Sequence, residues 1–145
     1  MSDDPAGCCG VVHGCVFAKA LLSRSAGCEN AERRQAGEAS AFDCRSPVAH
    51  HNCETLAALF AERARFALKL PPAGRPLLHV QALRLQCGGV AALREHLGLG
   101  PGDSDDVHRL VLAAQQRHES LTELPWAELV PRMQAWAPRR RAAPR

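Results

Sequence analysis

Five cysteines stand between positions 15 and 87: Cys15, Cys28, Cys44, Cys53 and Cys87, with 12, 15, 8 and 33 residues between successive members. Thiolates are soft ligands, and four of them are the usual complement of an iron-sulfur cluster or of a structural zinc ion. Cys28 follows Gly27, Cys44 lies two residues before Ser46-Pro47, and Cys87 precedes Gly88-Gly89. Those are expected helix starts and breaks, where unpaired backbone N-H groups favour negative charge and lower a thiol pKa. Gly14, Gly27, Gly88 and Gly89 would let backbone amides approach cluster sulfides.

The sequence reading is therefore an iron-sulfur centre, [4Fe-4S] favoured, held by four of Cys15, Cys28, Cys44, Cys53 and Cys87, with the fifth thiol close by. Cys44 and Cys53 rank first because one lies just before a helix and the other in its second turn. Zinc is the alternative: His50-His51 lie between Cys44 and Cys53, His13 is near Cys15 and His79 precedes Cys87. The third reading is five small hydrophobes in a core, since free cysteine is among the most buried residue types. The close C-x2-C pairs of ferredoxins, rubredoxins, thioredoxins and zinc fingers are absent, so the assignment rests on placement and not on a motif. Cys8-Cys9 is read as accessory.

Other chemistry finds less support. No local nucleophile signature accompanies a thiol, no H-E-x-x-H helix is present, and Gly98-Leu99-Gly100-Pro101-Gly102 lacks the strand and lysine of a phosphate loop. The reading leans against an enzyme. It leads to a metal-binding helical protein in electron transfer or redox sensing, with a redox partner or complex subunit; a zinc-stabilised or metal-free interaction module is the alternative. A formal charge of +3 is too small to make nucleic acid the main partner, even with Arg139-Arg140-Arg141 near the end. Asp3 and Asp4 stand where a secretory signal needs basic residues, and no apolar run reaches membrane-spanning length. A cytoplasmic address without membrane insertion follows, where structural disulfides are uncommon, and seven cysteines is also an odd number.

The elements that must position these thiols read as helices. Aromatics are only 4% of the chain and Tyr is absent, so the core is built from Leu, Ala and Val. An all-α bundle of about five to six helices is expected, as one domain over 15–136 between a Cys- and Gly-containing arm (1–14) and an Arg/Pro-rich tail (137–145). A first helix starts near Cys15 and stops at Gly27. A second covers Glu29 to about Ala39, with Glu29 and Arg33 paired at i,i+4. Ser46-Pro47 opens a central helix to Leu70, with Leu56, Leu59, Phe60, Phe66, Ala67 and Leu70 on its apolar face. Leu77–Gln86 reads as helix in preference to strand, broken at Gly88-Gly89 before Val90–Leu97. Asp103 or Ser104 caps the next helix, and Ser120 to Glu123 resembles a capping box. Trp126, Leu129, Met133 and Trp136 form a core stripe on a last helix that Pro131 kinks or splits.

Overall fold

A computed structural model describes residues 13–99 and 106–137. The chain begins with a two-residue strand β1 (His13–Gly14) and a short helix α1 (Ala18–Leu22), then forms a hairpin of β2 (Ala31–Ala36) and β3 (Ala39–Cys44). β3 is central in a three-stranded antiparallel sheet of order β1-β3-β2, with His13 opposite Cys44 on one side and Ala31 opposite Cys44 on the other.

This sheet corrects the all-α expectation: the fold is mixed, with five helices beside the three strands among the described residues. The segment expected as a helix over Glu29–Ala39 lies mostly in the hairpin. Its two-residue turn, Gly37-Glu38, joins the paired Ala36 and Ala39, and Gly37 has a φ of +66°. A glycine at the first central position with positive φ fits a type II′ turn, whose twist matches that of the flanking strands. The charges work across strands and not along a helix. Arg34 Nε is 2.7 Å from Asp43, the Arg33 guanidinium lies 5.8 Å from the Phe42 ring centre, and Glu29 pairs with Arg109 at 3.5 Å.

Helix α2 (Pro47–Ala64) starts as its sequence predicts: Ser46 Oγ accepts from the Ala49 amide at 3.1 Å and Pro47 occupies the first turn. Leu56, Leu59 and Phe60 are buried on it, but Phe66 is 96% exposed. Phe66 lies six positions beyond Phe60, about one and two-thirds turns on, which puts it about 120° around the expected helix from Phe60. The regular helix ends at Ala64, and the turns after it bury Leu68 and Leu70 instead.

Helix α3 runs as His79–Leu83, passes through a π-helical turn Arg84–Gly88 and resumes as Gly89–His96. The expected break at Gly88-Gly89 does not occur. The two glycines permit close packing: a β-carbon at Gly89 would overlap the Phe60 ring, and one at Gly88 would lie 3.1 Å from the Met133 carbonyl oxygen. Helix α4 (Val107–His118) is capped by Asp106, whereas the expected caps Asp103 and Ser104 lie outside the described residues. Ser120 caps a 3-10 turn at Leu121–Glu123, and α5 (Trp126–Ala135) carries Pro131 inside one unsplit helix.

The core lies where α2, α3, α4 and α5 meet. Phe60 contacts Phe17 and Trp126 edge to face, at centroid distances of 6.1 and 5.9 Å, an arrangement aromatic pairs prefer. Leu56, Leu93, Leu129 and Met133 complete it. No helix among the described residues is long and apolar enough to cross a membrane.

Candidate metal centre

Four of the five singled-out thiols come to one place. Cys15, Cys28, Cys44 and Cys53 line a single pocket with Val16, Phe17, Ala31, Ala49, His50 and Val107. Each arrives from a different part of the fold. Cys15 leaves the end of β1, with its amide donating to the Phe42 carbonyl at 2.8 Å, and its own carbonyl closes a turn with the Ala18 amide at 3.2 Å. Cys28 closes a similar turn before β2, its carbonyl accepting from Ala31 at 3.1 Å. Cys44 is the last residue of the central strand, opposite both His13 and Ala31. Cys53 is buried in the second turn of α2.

The Cys28 turn is also fastened from far along the chain. The Val107 amide donates to the Gly27 carbonyl at 2.9 Å, and the Glu29 amide donates to Asp106 Oδ2 at 2.8 Å, while Asp106 Oδ1 accepts from Arg109 N at 3.2 Å. One carboxylate thus caps α4 and holds the thiol turn against the start of that helix. Backbone amides point at the sulfurs: that of Phe17 at Cys15, and those of Asn30 and His108 at Cys28. The His108 amide belongs to the first turn of α4, where N-H groups have no partner within the helix. Amide-to-sulfur hydrogen bonds favour thiolate over thiol and are among the contacts that tune iron-sulfur clusters.

Electrostatics depart from the sequence expectation of lowered thiol pKa values. Burial pushes the Cys15 thiol up to about 11 and the Cys53 thiol up to about 12, and it also raises Cys28. The amide bonds at Cys15 and Cys28 oppose that shift without overcoming it. The neighbouring sulfurs and, for Cys28 and Cys53, Asp106 add to it, because each further negative charge is disfavoured beside another. Raised from the ordinary thiol value, these three groups favour their neutral form.

His50 lines the pocket, yet both its ring nitrogens are directed elsewhere. Nε2 lies 3.1 Å from the Gly14 carbonyl oxygen, Nδ1 lies 3.6 Å from Glu54, and the ring lies tilted by 32° against His13 with centroids 4.6 Å apart. Four of the lining residues are cysteines, although the Cys44 thiol donates to the Ser46 carbonyl oxygen at 3.3 Å; four thiolates are the donor set of an iron-sulfur cluster or of a zinc ion. Among the described residues no three His, Cys, Asp or Glu side chains close on one point at ligating geometry. The free space inside the pocket is about 10 Å³, room for about one water-sized body. Ligation requires the thiols to close up from these positions, with Cys44 giving up its bond to the Ser46 carbonyl.

Cys87 lies apart from this group. It is buried in the π-helical turn of α3, and its sulfur is 3.5 Å from Ser23 Oγ beyond the end of α1. Cys8 and Cys9 lie outside the described residues. His51 is exposed, and His79 binds Lys19 Nζ through Nδ1 at 2.9 Å. The residue that sequence reading missed is Asp106. Its role depends on a contact across 77 positions, for which the only local signal was a cap-forming residue before Val107. No described protein family matches the chain, and no curated protein or solved structure shows significant similarity to it.

Proposed function

We propose that the chain holds an iron-sulfur cluster, [4Fe-4S] favoured, on Cys15, Cys28, Cys44 and Cys53, and serves electron transfer or redox sensing with a protein partner. The observation that carries this reading is the convergence of four thiols from four separate elements on one largely apolar pocket. Such a centre, when bound, supplies one-electron chemistry. The chain's own contribution is to gather the sulfurs, exclude water with Val16, Phe17 and Val107, and direct the Phe17, Asn30 and His108 amides at sulfur. Because Cys15, Cys28 and Cys53 must each give up a proton, loading is coupled to pH and strengthens as pH rises.

A zinc site of four thiolates is the second reading, favoured by the small free space inside the pocket, which one ion fills with less movement than a cluster needs. Anaerobic purification followed by iron, acid-labile sulfide and zinc analysis separates the two. Iron and sulfide that disappear in Cys44→Ala and Cys53→Ala but persist in Cys87→Ala support the proposal. Stoichiometric zinc alone supports the second reading. Full metal loading after loss of both Cys44 and Cys53 overturns both.

A further inference from the structure

Away from the thiol pocket, two histidines meet at the ends of two helices. His96 closes α3 and His118 closes α4, with their Nε2 atoms 2.9 Å apart and ring centroids 5.0 Å apart. The other nitrogen of His96, Nδ1, faces Glu128 Oε1 at 3.8 Å in the first turn of α5, and the His96 side chain is only 14% exposed. Glu128 is held in turn by Arg132 at 3.4 Å, and Arg132 by Glu95 at 3.2 Å. A carboxylate beside Nδ1 favours the tautomer whose proton sits there, which leaves the His96 Nε2 lone pair directed at His118. Carboxylates orient metal-binding histidines from this side at hydrogen-bonding distance; at 3.8 Å Glu128 acts on His96 through its charge.

Two imidazole nitrogens hold such an approach by sharing a proton or by sharing a cation. With metal-nitrogen bonds of about 2.0 to 2.1 Å, two ligands at a right angle lie about 2.9 Å apart and two at the tetrahedral angle about 3.4 Å apart. The observed 2.9 Å matches two neighbouring ligands at a right angle on one ion, and it equally matches an N–H···N hydrogen bond. We propose that His96 and His118 form a second metal site, taking a divalent transition ion that accepts ligands at a right angle, such as Ni2+ or Cu2+, on their Nε2 atoms, with Glu128 biasing the His96 tautomer. No third His, Cys, Asp or Glu completes the group among the described residues, so water takes the remaining positions, as in open sites. An ion here clasps the ends of α3 and α4 beside the start of α5.

The test is a titration of the full chain with Ni2+, followed by NMR of the histidine side chains. One equivalent should broaden His96 and His118 together and saturate. Glu128→Gln should weaken that equivalent by about 10- to 100-fold, the usual effect of removing an orienting partner. His118→Gln should lose it while iron, sulfide or zinc at the thiols stays unchanged, so this site and the thiol reading fail separately. The proposal is overturned if His118→Gln keeps the equivalent, if Ni2+ leaves both rings untouched, or if the two rings respond only to pH, which assigns the contact to a shared proton. Should His118→Gln not fold, selective broadening of both rings in the unmodified chain decides.

Discussion

The half of the molecule that gathers the thiols and the half that packs α3, α4 and α5 are held together by different means. Around the pocket the segments are short and tied backbone to backbone: Cys15 to Phe42 at 2.8 Å, Arg45 to Asn30 at 2.8 Å and Val107 to Gly27 at 2.9 Å. In the helical half, large side chains such as Phe60, Leu93, Leu129 and Met133 are wholly or almost wholly buried against one another. Net stabilisation per hydrogen bond is about 0.5–1.5 kcal/mol, whereas a fully buried large apolar side chain is worth about 1.5–3 kcal/mol. By that measure the helical half carries more of the folding free energy, and the thiol half depends more on backbone ties. Helix α2 joins them, presenting Cys53 to the pocket and Phe60 to the core two turns later.

The largest effect should come from Phe60→Ala, which removes the ring that Phe17, Trp126 and Gly89 all approach. Urea unfolding should show a loss of about 3–5 kcal/mol. Phe17 also lines the pocket, so metal content should fall with it. A loss under about 1 kcal/mol would move the centre of the core away from α2. Gly89→Ala tests the same contact from the other side, and overpacking against the Phe60 ring should cost about 1–3 kcal/mol.

The two halves should also answer differently to pH. The metal-free chain has Cys15 and Cys53 raised from 9.0 to about 11 and about 12. Above pH 9 the unfolded chain loses those protons while the folded chain keeps them. Their contribution to stability is thus complete below about pH 9 and is lost as pH climbs through 11 to 12. Chemical denaturation across that window should show declining stability in the metal-free protein and a flatter profile once metal has replaced the protons. Equal slopes in the two forms would remove these thiols from the ligand set.

The same division explains what could be read from the chain. Ser46-Pro47, Leu56, Leu59 and Phe60 were legible because a cap and a long helix impose a period that packing then obeys. The hairpin was not, since Ala31–Ala36 and Ala39–Cys44 hold few large apolar residues and their Arg and Glu suit a helix equally well. Only the Gly37-Glu38 turn distinguishes the two, through a backbone angle and not through hydrophobicity. Gly88-Gly89 misled for a related reason: glycine signals a break or a close approach, and the Phe60 ring that selects the second lies some thirty positions earlier. Cysteine type and spacing marked the thiols, but meeting at one pocket depends on strand register, which spacing does not encode.

The smallest effect, and the sharpest test of how the halves are joined, belongs to Asp106. Its two oxygens accept from Glu29 and Arg109, and its charge disfavours thiolates at Cys28 and Cys53. Asp106→Ala removes a helix cap at a cost of about 1 kcal/mol and releases the Cys28 turn. Asp106→Asn retains one acceptor oxygen, so its stability loss should be smaller, while the negative charge beside the sulfurs disappears. The Cys28 and Cys53 thiols should then ionise at lower pH. Alkylation of the metal-free protein by iodoacetamide at a fixed alkaline pH should be faster in Asp106→Asn than in the parent, and its alkaline loss of stability should begin earlier. In Asp106→Ala the freed turn should add exposure to that change, and Cys28 should react fastest of all. Identical alkylation rates in the parent and Asp106→Asn would mean that Asp106 acts on the pocket only as a mechanical tie between the Cys28 turn and α4.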